Sequence, residues 1–212
     1  MRLTTAELVH RAAGLAAEAA RTGRTQVLGI TGPPGAGKST LAAALVDGLP
    51  PRTAVVVGMD GFHLSNAVLE ARGSRHRKGA IDTFDDAGYA ALIDRLADRA
   101  PGGPPVFAPE FRREIEEPIA AGTAVTVESL VITEGNYLLA PSGAWPAARA
   151  HMAEVWYVDL PDAERLRRLV ARHQAYGKPL PDAEAWAGGT DQRNADLIAT
   201  TRDEADLIVE WA

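Results

Sequence analysis

The chain has 212 residues, 46% of them hydrophobic and 24% charged, with no cysteine and a formal net charge of −6. Such values suit one ordinary globular unit with a substantial core, and they exclude a disordered, fibrous or disulfide-stapled chain. The acidic balance argues against a broad nucleic-acid surface, and no apolar run nears the roughly 18 residues of a membrane span, so neither nucleic acid nor membrane is expected as a partner.

From the N-terminus, apolar residues between Ala6 and Ala20 recur at helical spacing, which predicts a helix ending near Gly23. The same stretch carries charges at most turns and lacks the apolar core of a secretory signal, so a cytoplasmic location is expected. "TQVLGIT" reads as a buried strand, followed by a glycine-rich loop and an Ala/Leu-rich helix from Lys38 to about Asp47. "TAVVVGM" is a second strand; its continuous apolarity is what a parallel sheet covered on both faces requires. "DDAGYAALIDRLADRA" reads as a capped helix, "SLVITEG" and "EVWYVDL" as strands, Asp162 to about Tyr176 as a charged helix, and "ADLIVEW" as a last strand. Trp145, Trp156, Trp186 and Trp211 are expected to pack in the interior. The alternation predicts an α/β three-layer sandwich: a mostly parallel sheet with helices on both faces, in one domain over 1–212.

The loop after the first strand fits Gly-x4-Gly-Lys-Ser, from Gly32 to Ser39. Gly32, Gly35, Ala36 and Gly37 let backbone N–H groups curl around a β-phosphate, with Thr40 continuing the cradle into the helix. Lys38 would reach the β/γ oxygens and the Ser39 hydroxyl a Mg²⁺ ion.

A cradle binds a nucleoside triphosphate without saying what becomes of its last phosphate. A GTPase switch needs Asn-Lys-x-Asp, which is absent, and "DDAG" at Asp85 to Gly88 lies at a helix start rather than after a strand. A kinase needs a carboxylate at the end of a neighbouring strand to orient or deprotonate an acceptor hydroxyl. Asp60 in "VVVGMDGFHL" stands there, unless it caps the next helix, for which Ser65 is better placed. Glu134 in "SLVITEGNYLL" offers a second carboxylate, either in the Mg²⁺ shell or bonded to the loop backbone.

With Gly32 to Thr40, Asp60-Gly61-Phe62 and Glu134-Gly135 in this order, the chain resembles the P-loop kinases that include uridine kinase, phosphoribulokinase and bacterial pantothenate kinase. "MDGFHLSN", "RKGAIDTFD", "EEPI" and "VITEGNYLL" are similar to a branch provisionally labelled as nucleoside/nucleotide or fructose-transport-associated kinases. The resemblance runs from Val27 to Val209. It implies an ATP- and Mg²⁺-dependent enzyme with Asp60 as catalytic base or hydroxyl-orienting group and Glu134 linked to the metal. It also implies an Arg-bearing lid, spanning about 162–190.

In that lid Arg168 and Arg172 lie four apart on one helical face, able to reach the γ-phosphate on closure or, alternatively, forming a solvated face with Asp162 and Glu164; Arg165 is a weaker third. The run Arg72, Arg75, His76, Arg77, Lys78 is either a solvated loop or an anion-reading part of the acceptor site, with Lys78 and Asp82 the best match to the branch. "PVFAPEFRREIEEPI" stands where uridine kinases read base and ribose; the tyrosine and histidine of that pattern are replaced here, so uridine is not the expected acceptor. Arg112, Arg113 and His63 are the remaining acceptor candidates, and Asn194 is expected near adenine. The predicted activity is phosphoryl transfer from ATP to a hydroxyl of a small polar metabolite, by a chain expected to form a homodimer. The alternative is a nucleotide-binding regulatory ATPase that acts on a protein partner.

Overall fold

All five apolar runs read as strands join one sheet. The computed structural model describes residues 3–210, so Trp211 lies outside the described residues. In chain order, α1 (Thr5–Thr22) leads to β1 (Gln26–Thr31), the phosphate loop and α2 (Lys38–Gly48), then β2 (Ala54–Gly58). A short 3₁₀ turn at Met59–Phe62, α3 (Asn66–Ala71) and two further 3₁₀ turns precede α4 (Asp86–Ala97). Strands β3 (Val106–Arg112) and β4 (Glu117–Val125) follow, then β5 (Leu130–Glu134), α5 (Trp145–Arg149) and β6 (Glu154–Asp159). Last come α6 (Asp162–Ala175), α7 (Leu180–Trp186), a π-helical turn at Ala187–Asp191, α8 (Gln192–Ala199) and β7 (Leu207–Glu210).

Local chemistry accounts for the helix ends. Thr4 and Glu7 form a reciprocal capping box at the start of α1, and Gly23 closes it in the left-handed conformation. Ser65, not Asp60, caps α3, its hydroxyl accepting from the Val68 N–H. That leaves the Asp60 carboxylate free of capping duty.

The sheet order is β2-β5-β1-β6-β7, with every pair parallel. Because successive side chains alternate across a strand, Leu28 and Ile30 of β1 enter a core with Leu8, Leu41 and Leu45 of α1 and α2. Val27 enters the opposite core with Tyr89, Leu92 and Ile93 of α4. These are the two helical layers. Tyr89 is anchored in the second core by its hydroxyl, 2.8 Å from Oγ1 of Thr133. Trp145 and Trp156 are buried as expected, whereas Trp186 keeps part of its surface exposed.

Strands β3 and β4 form a separate antiparallel hairpin, which periodicity did not reveal. Pro109 interrupts β3, the register shifts between Ala108 and Glu110, and much of β4 is exposed, so neither strand shows clean alternation. The hairpin packs against the segment after β2. A Cβ at Gly61 would lie 2.4 Å from the Pro109 carbonyl oxygen, so only glycine allows this approach.

Candidate active site

The parallel register brings the site together. Glu134 at the end of β5 lies beside Ile30 of β1 and Gly58 of β2, flush with the start of the phosphate loop and two residues before Asp60. In an open α/β sheet this carboxyl edge is where ligands bind.

The loop runs from Gly32 to Gly37 into α2, whose first residue is Lys38. Gly35 has φ +85°, and a Cβ there would sit 2.9 Å from the Arg165 carbonyl oxygen of α6, so the loop lies tight against the lid helix. Arg165 is fully buried; its Nε donates to Asp162 Oδ1 at 2.9 Å, its Nη1 to the Pro34 carbonyl at 3.4 Å and its Nη2 to Gln192 Oε1. Rather than a spare lid arginine, it is the clasp between loop, α6 and α8.

Lys38 is 8% exposed, and its Nζ donates to the carbonyls of Gly32 (2.8 Å) and Pro33 (3.2 Å) and to Asn136 Oδ1 (2.7 Å). Burial pushes the ammonium down to about 8, against the pull of the Glu134 and Asp60 carboxylates. Asn136 escaped the sequence reading; its place two residues after Glu134, in "TEGNY", was the available signal. The Ser39 hydroxyl donates to Glu134 Oε1 at 3.0 Å, so two oxygen ligands meet beside the loop. Thr40, next along α2, is exposed. Burial first and the Asp60 charge second raise the Glu134 carboxyl above the usual range, with Lys38 and the Ser39 hydrogen bond opposing them.

Asp60 is partly buried, and Arg113 from the turn between β3 and β4 places Nη2 at 3.3 Å from its Oδ2. His63 Nδ1 lies 2.8 Å from the Asp60 carbonyl, which can only accept, so the proton sits on Nδ1. Its ring is held between Phe84 and Phe111, with centroids at 4.1 and 4.7 Å, and burial lowers its pKa. His63 is therefore neutral at pH 7 and its Nε2 is left as an acceptor.

The two lid arginines part company. Arg168 donates through Nε to Glu164 Oε1 at 2.7 Å, the surface pairing that was the alternative to a phosphate role. Arg172 has no side-chain hydrogen bond among the described residues; loss of water around it, then the nearby Arg113 charge, lower its pKa against Asp191, Asp60 and Glu134. It stays solvent-accessible and is not sealed in the core.

Three acceptor candidates are engaged elsewhere. Lys78 is buried, donating to Asn66 Oδ1 at 2.8 Å and to the Glu116 carbonyl, and so ties the hairpin turn to α3. Asp82 is paired with Arg77, and Arg112 with Glu114. Arg112 ends β3 and pairs within the turn, whereas Arg113, in the turn itself, reaches Asp60. Asn194 is likewise committed, donating through Nδ2 to the Gly79 carbonyl at 3.1 Å.

Residues 5–60 match the family described as methylmalonyl Co-A mutase-associated GTPase MeaB, a stretch that holds the phosphate loop and ends at Asp60. Over 153 residues the chain is 38% identical to the ATP-dependent kinase-like protein notR' of Aspergillus versicolor, covering 68% of this chain and 88% of that protein. It is 31% identical to a pantothenate kinase of Sorangium cellulosum, over 88% of this chain and 69% of the other. A crystal structure from Silicibacter sp. TM1040, provisionally described as a fructose transport system kinase, superposes with a TM-score of 0.80 at 36% identity, covering 99% of this chain and 100% of that one. With the loop, the flush Glu134 and the Asp60 segment on one sheet edge, the chain belongs to the P-loop kinases that include uridine kinase and pantothenate kinase.

Proposed function

We propose that this chain transfers the γ-phosphoryl group of ATP to a hydroxyl of a small polar metabolite. The observation that carries the reading is the Asp60 carboxylate, set in one charge cluster with Lys38 and Glu134 and free of any capping role. The Gly32–Thr40 backbone and Lys38 hold the triphosphate; Lys38 must exchange its present carbonyl and Asn136 partners for phosphate oxygens. Ser39 and Glu134 would hold a Mg²⁺ ion, because both offer the hard oxygen ligands that suit it. When bound, that ion neutralises charge between the β- and γ-phosphates.

Asp60 orients the acceptor hydroxyl and takes its proton. Arg113 places its guanidinium at 3.3 Å from that carboxylate, beside the position the acceptor takes. Arg172, with no protein partner of its own among the described residues, stabilises the charge of the transferring group. His63 offers Nε2 to a second hydroxyl of the acceptor.

An acceptor screen tests the proposal by following ADP release with sugars, sugar phosphates, nucleosides and pantothenate. Acceptor-dependent release that is lost in Asp60→Asn supports it. Slow hydrolysis indifferent to every acceptor, with a protein partner bound differently in ATP and ADP, would favour the regulatory ATPase instead.

A further inference from the structure

Beyond the phosphate loop, the molecule has a second cavity of about 480 Å³, walled by His76 on one side and on the other by Lys178, Asp182, Trp186, Gly189, Thr190 and Arg193. One wall is the basic run after α3; the other is α7, the π-helical turn and the first turn of α8. π-helical turns are rare and concentrate at functional sites, because the widened turn re-aims side chains. This one opens space: a Cβ at Gly189 would meet nothing within 4 Å.

Among the described residues, neither cation of this cavity forms an ion pair. Lys178 holds its ammonium 4.6 Å from the Trp186 ring centroid, steadied by an aromatic face and, among the described residues, by no carboxylate. Arg193 spends Nη2 on the Thr190 hydroxyl at 3.0 Å, which fixes the guanidinium and leaves its other nitrogens unbonded among the described residues. Asp182 lines the same space yet forms no ion pair with either cation among the described residues. In a chain of net charge −6, cations left unpaired around one cavity call for an anion.

We propose that this cavity is a second ligand site, separate from the triphosphate cradle, that takes a small metabolite bearing a phosphate or carboxylate group on Lys178 and Arg193. The ligand sits at the seam where Asn194 of α8 already bonds the Gly79 carbonyl, so its occupancy couples the lid to the body of the protein. Trp186 reports on it directly, because its ring carries the Lys178 ammonium.

Tryptophan fluorescence of the full chain tests this, at constant ionic strength and with a saturating non-hydrolysable ATP analogue and Mg²⁺ filling the cradle. Glycerol 3-phosphate and malonate are the probes that separate a phosphate source from a carboxylate source; glycerol is the neutral control. A saturable change with at least one anion and none with glycerol is expected, and Trp186→Phe should abolish it. The Lys178→Gln/Arg193→Gln double variant, with an unchanged circular dichroism spectrum, should raise the midpoint at least tenfold. The proposal is overturned by a flat titration with both anions, by an equal response to glycerol, by a midpoint unmoved in the double variant, or by loss of the response whenever the ATP analogue is present.

Discussion

Arg113 and Asp60 are 53 residues apart in sequence and meet at 3.3 Å, a guanidinium from the hairpin turn resting on the carboxylate at the end of the sheet. The arginine stands beside the carboxylate proposed to receive the acceptor hydroxyl. Asp60→Asn should therefore keep ATP affinity within a few-fold and lower kcat by about a hundred- to ten-thousand-fold, the range for removing a general base. Arg113→Ala should act differently, raising the acceptor KM while leaving kcat within a few-fold, because it removes a group beside the carboxylate and not the carboxylate itself. Steady-state kinetics with varied acceptor separates the two; an unchanged acceptor KM in Arg113→Ala would deny the pair a functional role.

Lys38 makes a prediction about alkaline pH. Its ammonium, lowered by burial to about 8, loses its proton in the free protein well below the ordinary lysine range. The unfolded chain still holds that proton up to the ordinary lysine value of 10.5, so this group's contribution to stability is fully present above about 10.5 and is lost as pH falls through about 8. Triphosphate affinity runs the other way. Binding needs the charged amine, so the Kd for an ATP analogue should rise about tenfold per pH unit above pH 8, read by calorimetry. Lys38→Arg, which stays charged, should flatten that rise even if its overall affinity is weaker.

Arg165 joins the Pro34 carbonyl of the phosphate loop to Asp162 and Gln192 while having no exposed surface. Arg165→Met keeps most of the volume and removes the donors. It should cost about 1–3 kcal/mol, the penalty for leaving buried acceptors unmet, seen as a fall in Tm of about 2–4 °C per kcal/mol. If the clasp also sets the loop's shape, ATP affinity should drop in the folded variant at a temperature far below its Tm. A lowered Tm with unchanged ATP affinity would leave Arg165 a packing residue alone.

The five sheet strands and the phosphate loop were legible in the sequence because their signals are local. A parallel strand buried on both faces is apolar at nearly every position, and a loop that wraps phosphate needs glycine and lysine at fixed spacing. Asp60 and Glu134 could be placed for the same reason, each standing where an apolar run stops. The hairpin was not legible, since Pro109 and the register shift beside it break the alternation that marks a strand. With the hairpin hidden, so was the choice between the two adjacent arginines, which hangs on where β3 ends and the turn begins.

By itself, then, the sequence determined the layered architecture, the nucleotide cradle and the strand-end carboxylates, all of which depend on residues close together in the chain. Tertiary structure decided which cations face those carboxylates. It paired Arg168 with Glu164, Asp82 with Arg77 and Arg112 with Glu114, brought Arg113 to Asp60, and left Lys178 and Arg193, among the described residues, without carboxylate partners across an open cavity. A long, flexible basic side chain can reach several acidic ones from the same position, and only the packing of distant segments fixes which it meets.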